Sequence, residues 1–438
     1  MWMSIPALFV RRIGMTGWFI IGVSLLSLPA FALQPLSSFV SSAQRQNPDV
    51  LEAKATALQQ QAQSDVALGR VLPGVSARGA YTRNQYDAQV TLGPGQSVTV
   101  VPIDQWDGSA TITIPLIDAA GWARASAAKI SANASDLQLA AARLAVEAQV
   151  AQDYYQLVAN LAVVAAARQA LDVSQENLRL TRARYQAGVA QILEVDRATA
   201  DVESQNQQVA SAELQVSLAA RALESSSGLT PEASGVVPLS DDLHAEPPLS
   251  AFTQGLADLP AVASSREAVR AADREADAQR LALLPSIAGT FTERGTTAAG
   301  FTGHDWSWQA AIGFTWAFDL TSLASIRSQD AAARAARARA LRARLVANDA
   351  IHRQWETVAA GIARSRSARA GQAAAARASA QAQTRYRAGT VTQLELVQAQ
   401  RDAFAADVTR IQADADLVNA RAQLRLAAGR TLTNEVSQ

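Results

Sequence analysis

Arg184-Tyr185-Gln186-Ala187-Gly188 is followed by Leu193-Glu194-Val195, and 201 residues later Arg385-Tyr386-Arg387-Ala388-Gly389 is followed by Leu394-Glu395-Leu396. Recurrence of Arg, Tyr, Ala, Gly, Leu and Glu at fixed offsets marks an internal duplication, so one structural plan has to serve two halves. The duplication reaches further. Pro48 to Pro73 and Pro260 to Pro285 are both 25 residues apart, Leu72 and Leu284 precede the second Pro of each pair, and each pair opens a β-rich stretch. Those stretches close at Asp118 and Asp319, again 201 residues apart. Each half therefore reads helix, strand pair, long helix, tight turn, helix. The expected organisation is a signal peptide over 1–32, a first repeat over 33–227, a linker over 228–248, a second repeat over 249–430 and a tail over 431–438.

The first segment carries the signal. Arg11 and Arg12 give a positive start, Trp18 to Leu28 an apolar run, and Ala30-Phe31-Ala32 a small-x-small cleavage site. The apolar run is short for a membrane span and is closed by Pro29. No later stretch offers 18 uninterrupted apolar residues, so membrane crossing by the mature chain has to use β-strands. The strand-like parts are Val75 to Tyr86 and Val98 to Ile117 around Gly93-Pro94-Gly95, then Ile287 to Glu293 and Trp306 to Phe318. Trp306, Trp308, Ala310, Ile312, Phe314, Trp316 and Phe318 share one parity, which predicts an aromatic face of membrane-spanning length. Four strands are too few to close a barrel, and an open edge in lipid is prohibitively costly. Several chains must pool their strands, and three would supply twelve.

The helices are too long for a globule. Between Asp118 and Ala187 there is no Pro and Gly121 is the sole Gly; over 320–388 only Gly361 and Gly371 interrupt. That is roughly 100 Å of helix at 1.5 Å per residue. Asp118 and Asp319 are natural N-caps. Val150, Leu157, Val164, Leu171, Leu178 and Tyr185 keep a seven-residue register, as do Val195, Val202, Val209, Val216 and Leu223, and Val397, Phe404, Ile411 and Val418. Period seven predicts helices that supercoil around neighbours. Gly188 and Gly389 fit helix C′ positions with positive φ, and Thr392 with Glu395 forms a capping box that restarts the helix.

Chemistry is thin elsewhere. The formal charge is zero, which offers no argument for nucleic acid, and the absence of Cys removes disulfides and thiolate metal sites. Three His are scattered, and no Gly-x-Ser-x-Gly elbow occurs, so no catalytic set is expected. His244 beside Asp241, Asp242 and Glu246 reads as a solvated loop in a Pro-rich linker, with metal binding as the minority reading.

Taken together, the duplicated Arg-Tyr-x-x-Gly turn, the carboxylate six residues after each Gly (Glu194, Glu395) and Leu72-Pro73 and Leu284-Pro285 resemble the TolC-like outer-membrane efflux protein family. The first repeat departs at Asp196-Arg197-Ala198-Thr199. The resemblance implies a mainly α fold with a β-barrel part. Long helical hairpins would build a trimeric periplasmic tunnel, and four membrane strands per chain would pool into a twelve-stranded barrel. It implies a homotrimer in outer-membrane lipid, a periplasmic adaptor protein, an inner-membrane pump reached through that adaptor, and no cofactor. Such a channel passively conducts small toxic compounds or secreted proteins. Arg184, Tyr185, Gly188, Arg385, Tyr386 and Gly389 would lie at the periplasmic tip where an adaptor docks. Glu194, Arg197 and Glu395 are the candidates for an entrance gate. From the residues alone, Glu395 also reads as a simple helix cap, the Arg side chains as solvated helix ends, and the Tyr side chains as packing groups. A soluble periplasmic coiled-coil adaptor or scaffold is the alternative; the aromatic parity of Trp306 to Phe318 argues against it.

Overall fold

The structure is a computed structural model that describes residues 33–232 and 239–432. The signal expected over 1–32, the linker residues 233–238 and the end of the tail from 433 lie outside the described residues. The first half runs α1 (Leu36–Gln46), α2 (Pro48–Gly69), β1 (Gly74–Arg83), β2 (Ala88–Gly93), β3 (Gln96–Val101), β4 (Asp104–Ile117), α3 (Ala119–Gln186) and α4 (Ile192–Ser227). The second runs α5 (Ser250–Thr253), α6 (Pro260–Leu281), β5 (Ser286–Thr296), β6 (Trp306–Thr315), α7 (Leu320–Arg387) and α8 (Gln393–Ala427).

The two long helices are each 68 residues, and both start where the sequence places a cap. Asp118 Oδ1 accepts from Gly121 N and Asp319 Oδ1 from Ser322 N, each at 2.8 Å. These bonds satisfy helix donors that would otherwise have no partner. Both helices stop at a glycine: Gly188 has φ +73° and Gly389 +72°. The duplication repeats this at the far ends of α4 and α8, where Gly228 and Gly429 have φ +69° and +79°.

Side-chain packing explains how the halves join. α3 has neighbours on both sides, α2 and α4 from its own half and α6 and α8 from the other. α7 packs on α6 and α8, and among the described elements it has no comparable neighbour on its other flank. The core sits where the hairpins meet the shorter helices. Phe39, Val50, Val150, Leu157, Val158 and Leu223 form one cluster and Phe252, Ile351, Val358, Leu417 and Leu424 a second, with three smaller clusters along the hairpins. Val150, Leu157 and Leu223 stand 201 residues before Ile351, Val358 and Leu424, so the duplication is legible in the core itself. α3 has one window apolar and long enough to span a membrane by length and composition. Its Leu157, Val158 and Val164 are buried among the helices, as expected of bundle core rather than of a lipid-facing span.

One four-stranded antiparallel sheet has the order β1-β4-β5-β6. β2 and β3 form a separate two-stranded ribbon, so 75–117 holds four strands where the sequence predicts two. Gly93-Pro94-Gly95 turns this ribbon rather than joining the main strands, with Gly95 at φ +89°. β6 ends at Thr315, so Trp316 and Phe318 lie beyond the strand. The register sorts the faces with two exceptions on the apolar side, Glu293 between Ala110 and Trp308, and the Arg83–Asp104 pair at the sheet's end. Val75, Ile112 and Phe291 share one face with Tyr81 and Trp106, and Phe314, Ile312, Trp308 and Trp306 continue it on β6. The other face holds Ser76, Arg78, Asp107, Thr111, Thr292, Arg294 and Gln309, with a Thr111–Thr292 hydroxyl contact at 3.1 Å and an Arg294–Asp107 ion pair at 3.2 Å. Apolar residues on one face and polar ones on the other is the pattern of a strand between lipid and a watery lumen.

Leu417→Ala, at a fully buried position, is expected to destabilise the fold by about 2–5 kcal/mol through lost burial and a residual cavity. A lowered thermal unfolding midpoint, followed by circular dichroism in detergent, checks it.

Candidate functional site

Both helix ends close by the same pair of backbone bonds. Gly188 N donates to Tyr185 O at 2.9 Å and Val189 N to Arg184 O at 2.9 Å; Gly389 N donates to Tyr386 O and Thr390 N to Arg385 O, both at 3.0 Å. This 5→2 and 6→1 pattern is a Schellman motif, and it requires φ > 0 at the glycine. α8 then restarts with Thr392 Oγ1 accepting from Glu395 N at 3.3 Å, whereas Gln191 caps α4 without a side-chain bond.

The side chains at the two turns differ. Tyr386 is 2% exposed while Tyr185 is 45% exposed. Tyr386 is held between the hairpins. The Arg184 guanidinium lies 4.8 Å from the Tyr386 ring centroid, and Arg184 Nη1 donates to Tyr386 O at 3.1 Å. The Tyr386 hydroxyl lies 3.3 Å from Thr181 Oγ1 and donates to Glu194 Oε2 at 3.5 Å. Gln393 Nε2 donates to Glu194 O at 2.7 Å. The sequence candidates Arg184, Glu194 and Tyr386 thus come together in one cluster. Tyr185, Arg385 and Glu395 stay on the surface, as does Arg197, which makes no hydrogen bond or ion pair among the described residues. Further along the same seam, Asn177 Nδ2 donates to Gln400 Oε1 at 2.6 Å and Arg401 pairs with Asp201 at 2.9 Å. Asn177, Asp201 and Arg401 gave no sequence signal, because each is an ordinary polar residue within a long helix. Val189, Ile192, Leu193 and Leu394 expose about half or more of their surface beside the turns and give the tip an apolar patch.

Away from the tip, the linker is a loop with two of its carboxylates drawn inward. Arg421 of α8 is 5% exposed and takes Asp241 through Nε at 2.8 Å, Glu246 through Nη1, and the His244 backbone carbonyl through Nη2 at 2.7 Å. Burial works against its charge, and the hydrogen bonds to Asp241 and Glu246 outweigh that, so its pKa is raised. Asp241, Asp242 and His244 bring ligand-type atoms together, but the guanidinium already occupies the place a cation would take. Leu243 sits at φ +59° inside this strap, and Arg369 Nη1 donates to Asp241 O at 2.9 Å. The segment is a loop, with His244 and Asp242 exposed as expected; what the sequence did not signal is the countercharge that Arg421, 175 residues downstream of Glu246, brings to Asp241 and Glu246.

Such a two-faced sheet above duplicated 68-residue helices narrows the comparison to one class of protein. The description "Outer membrane efflux protein" matches residues 39–229 and 253–430. The chain belongs to the outer membrane efflux protein family. The two matched regions are the two halves of the duplication, and membership places the chain in the outer membrane, in a family of channels. It is 26% identical over 258 residues to the fusaric acid resistance protein FusA of Burkholderia cepacia, across 58% of this chain; the match spans 48%, about half, of that relative. In fold it is similar to the Campylobacter jejuni CmeC outer membrane channel, with a TM-score of 0.77 at 19% identity over 90% of this chain and 85% of that one. It is similar also to the outer membrane protein VceC of Vibrio cholerae, with a TM-score of 0.75 at 17% identity over 90% of this chain and 96% of that one.

Arg421→Ala strands Asp241 and Glu246, both nearly buried, without their cation. Breaking a buried pair from one side costs about 3–5 kcal/mol, so the variant is expected to unfold earlier and to be cut by protease within 239–248. Mapping the cleavage sites by mass spectrometry checks it.

Proposed function

We propose that three copies of this chain assemble into a passive export duct, a twelve-stranded barrel in the outer membrane continued by a helical tunnel into the periplasm. The carrying observation is the open sheet: β1 and β6 stand at its two edges with one partner each, while an aromatic face lies bare beside them. Unpaired strand edges are not tolerated in hydrocarbon, so the edges must pair between copies. The helices make the same demand. Ala134, Val158 and Ala159 of α3 are buried, and their counterparts 201 residues on, Ala335, Ala359 and Ala360 of α7, are exposed. A neighbouring copy's first half would cover that flank of α7 as α6 and α8 cover α3. A soluble scaffold has no use for such strands.

In this reading the turns at Gly188 and Gly389, with Arg184, Tyr185, Arg385 and Tyr386 around them, face an adaptor protein, and Val189 and Leu394 give that contact its apolar part. The adaptor links the duct to an inner-membrane pump, which supplies the energy; the duct carries out no reaction. Glu194 and Glu395, with Arg197 nearby, would recur three times each around the entrance. A ring of carboxylates favours cations and resists close approach of its own members. The fusaric acid resistance of the relative supports small toxic organic compounds as the cargo.

Deleting the gene is expected to lower the inhibitory concentrations of toxic organic compounds, aromatic carboxylic acids included, with recovery on re-expression of the wild-type chain. Unchanged inhibitory concentrations across a broad panel would contradict an export role.

A further inference from the structure

We propose that each chain carries a binding site for a small organic cation, a protonated amine or amidine on a one-ring apolar body, in a cavity between its two hairpins. The site goes beyond the export reading and needs no neighbouring copy, because α3, α4, α7 and α8 of one chain supply its walls.

The cavity has a volume of about 300 Å³, at the small end of ligand pockets. Small side chains such as Ala170, Ala376 and Ala403 leave the space open. Two helix faces bring its functional groups. Asp201 and Gln205, four residues apart, share one face of α4, and Phe404 and Asp407, three apart, share one face of α8. Gln205, which lines the cavity, is 4% exposed, yet its Oε1 has no hydrogen-bond partner among the described residues. A buried acceptor without a donor is costly, and a ligand that brings the donor removes that cost. Asp201, one turn away, is also buried. Both Arg401 donors fall on its Oδ1, at 2.9 and 3.1 Å, which leaves Oδ2 to a further donor.

The lining selects the charge of the ligand. Among the described residues that form it, Asp201 and Asp407 are the only charged ones. Arg401 and Arg410 pair with these carboxylates from outside the lining. Phe404 adds a half-buried ring, whose face attracts a cation and stacks on an aromatic body. A carboxylate ligand would meet two carboxylates and an acceptor already short of a donor. The aromatic carboxylic acids named above as cargo are therefore the wrong charge for this site.

The duplication does not repeat the cavity. At the 201-residue offset Gln205, Phe404 and Asp407 correspond to Ala406, Glu203 and Asn206. Asp201 alone keeps its carboxylate, as Asp402, and that residue is exposed. A feature demanded by the repeated helices would recur in both halves. This one stands once, so each chain holds one site.

Benzamidine and benzoate have nearly the same shape and opposite charge, which makes them the probes. Each is titrated by isothermal calorimetry into the full chain purified in detergent, and the thermal unfolding midpoint is followed in parallel. Benzamidine is expected to bind once per chain and to raise the midpoint, and benzoate to do neither. Gln205→Leu removes the lone oxygen at little change of shape. It is expected to weaken benzamidine about tenfold, while the midpoint without ligand stays unchanged or rises. Asp201→Asn and Phe404→Ala are each expected to weaken it by a similar factor. Benzoate binding as tightly as benzamidine overturns the inference, as does saturation at two per chain. So does a benzamidine affinity untouched by Gln205→Leu, or a chain that binds neither probe. None of these results bears on export, which the inhibitory concentrations above read separately.

Discussion

An antiparallel sheet with two unpaired edges cannot rest in lipid, and the organisation of this chain follows from that constraint. Each backbone N–H and C=O left bare in hydrocarbon costs several kcal/mol, and a closed barrel is how strands remove that cost. A single copy brings four strands, with β1 and β6 at the margins. Its register puts Val75, Ile112, Phe291, Ile312 and Phe314 on one face and Thr111, Thr292 and the Arg294–Asp107 pair on the other. Lipid outside and water inside are thus written into each strand before any barrel closes.

The helices extend the same logic below the membrane. Two 68-residue helices, each about 100 Å long, carry the wall far from the strands and turn back at glycines that alone tolerate the left-handed backbone there. Apolar clusters recur along them, the two largest around Leu157 and Val358 and a smaller one of Leu178, Ala198 and Val202 toward the tip, where Arg401–Asp201 and Asn177–Gln400 add polar contacts between the hairpins. The largest packed part of the wall is therefore where the hairpins meet the shorter helices. The buried Arg421, with Asp241 and Glu246, straps the linker onto that part.

Much of this was legible in the sequence because duplication and helix punctuation leave local marks. Asp118 and Asp319 cap the long helices, Gly188 and Gly389 end them, and the even-parity aromatics of β6 line one face, all as their residue types require. What escaped depends on distant partners. The sequence read β3 as the start of one strand over Val98 to Ile117, because nothing local marks where the β2–β3 ribbon ends and β4 begins. Tyr185 and Tyr386 are identical in motif yet differ in burial, because only Tyr386 meets the other half of its own chain. The His244 segment is an exposed loop, but its Asp241 and Glu246 are buried against Arg421, a partner 175 residues or more away. The duplication also hides an asymmetry: Thr181 and Ala382, 201 residues apart, differ by the hydroxyl that meets Tyr386.

Closure by pooled strands is tested most directly by cross-linking the two sheet edges in native outer membranes. Single cysteines along Val75–Arg83 of β1 would be combined with single cysteines along Trp306–Thr315 of β6, and the membranes analysed on non-reducing gels. The account predicts that register-matched pairs yield linked dimers and trimers and no larger species, all in the outer-membrane fraction. Chains that stay unlinked at every register, or that fractionate as soluble periplasmic monomers, would contradict it.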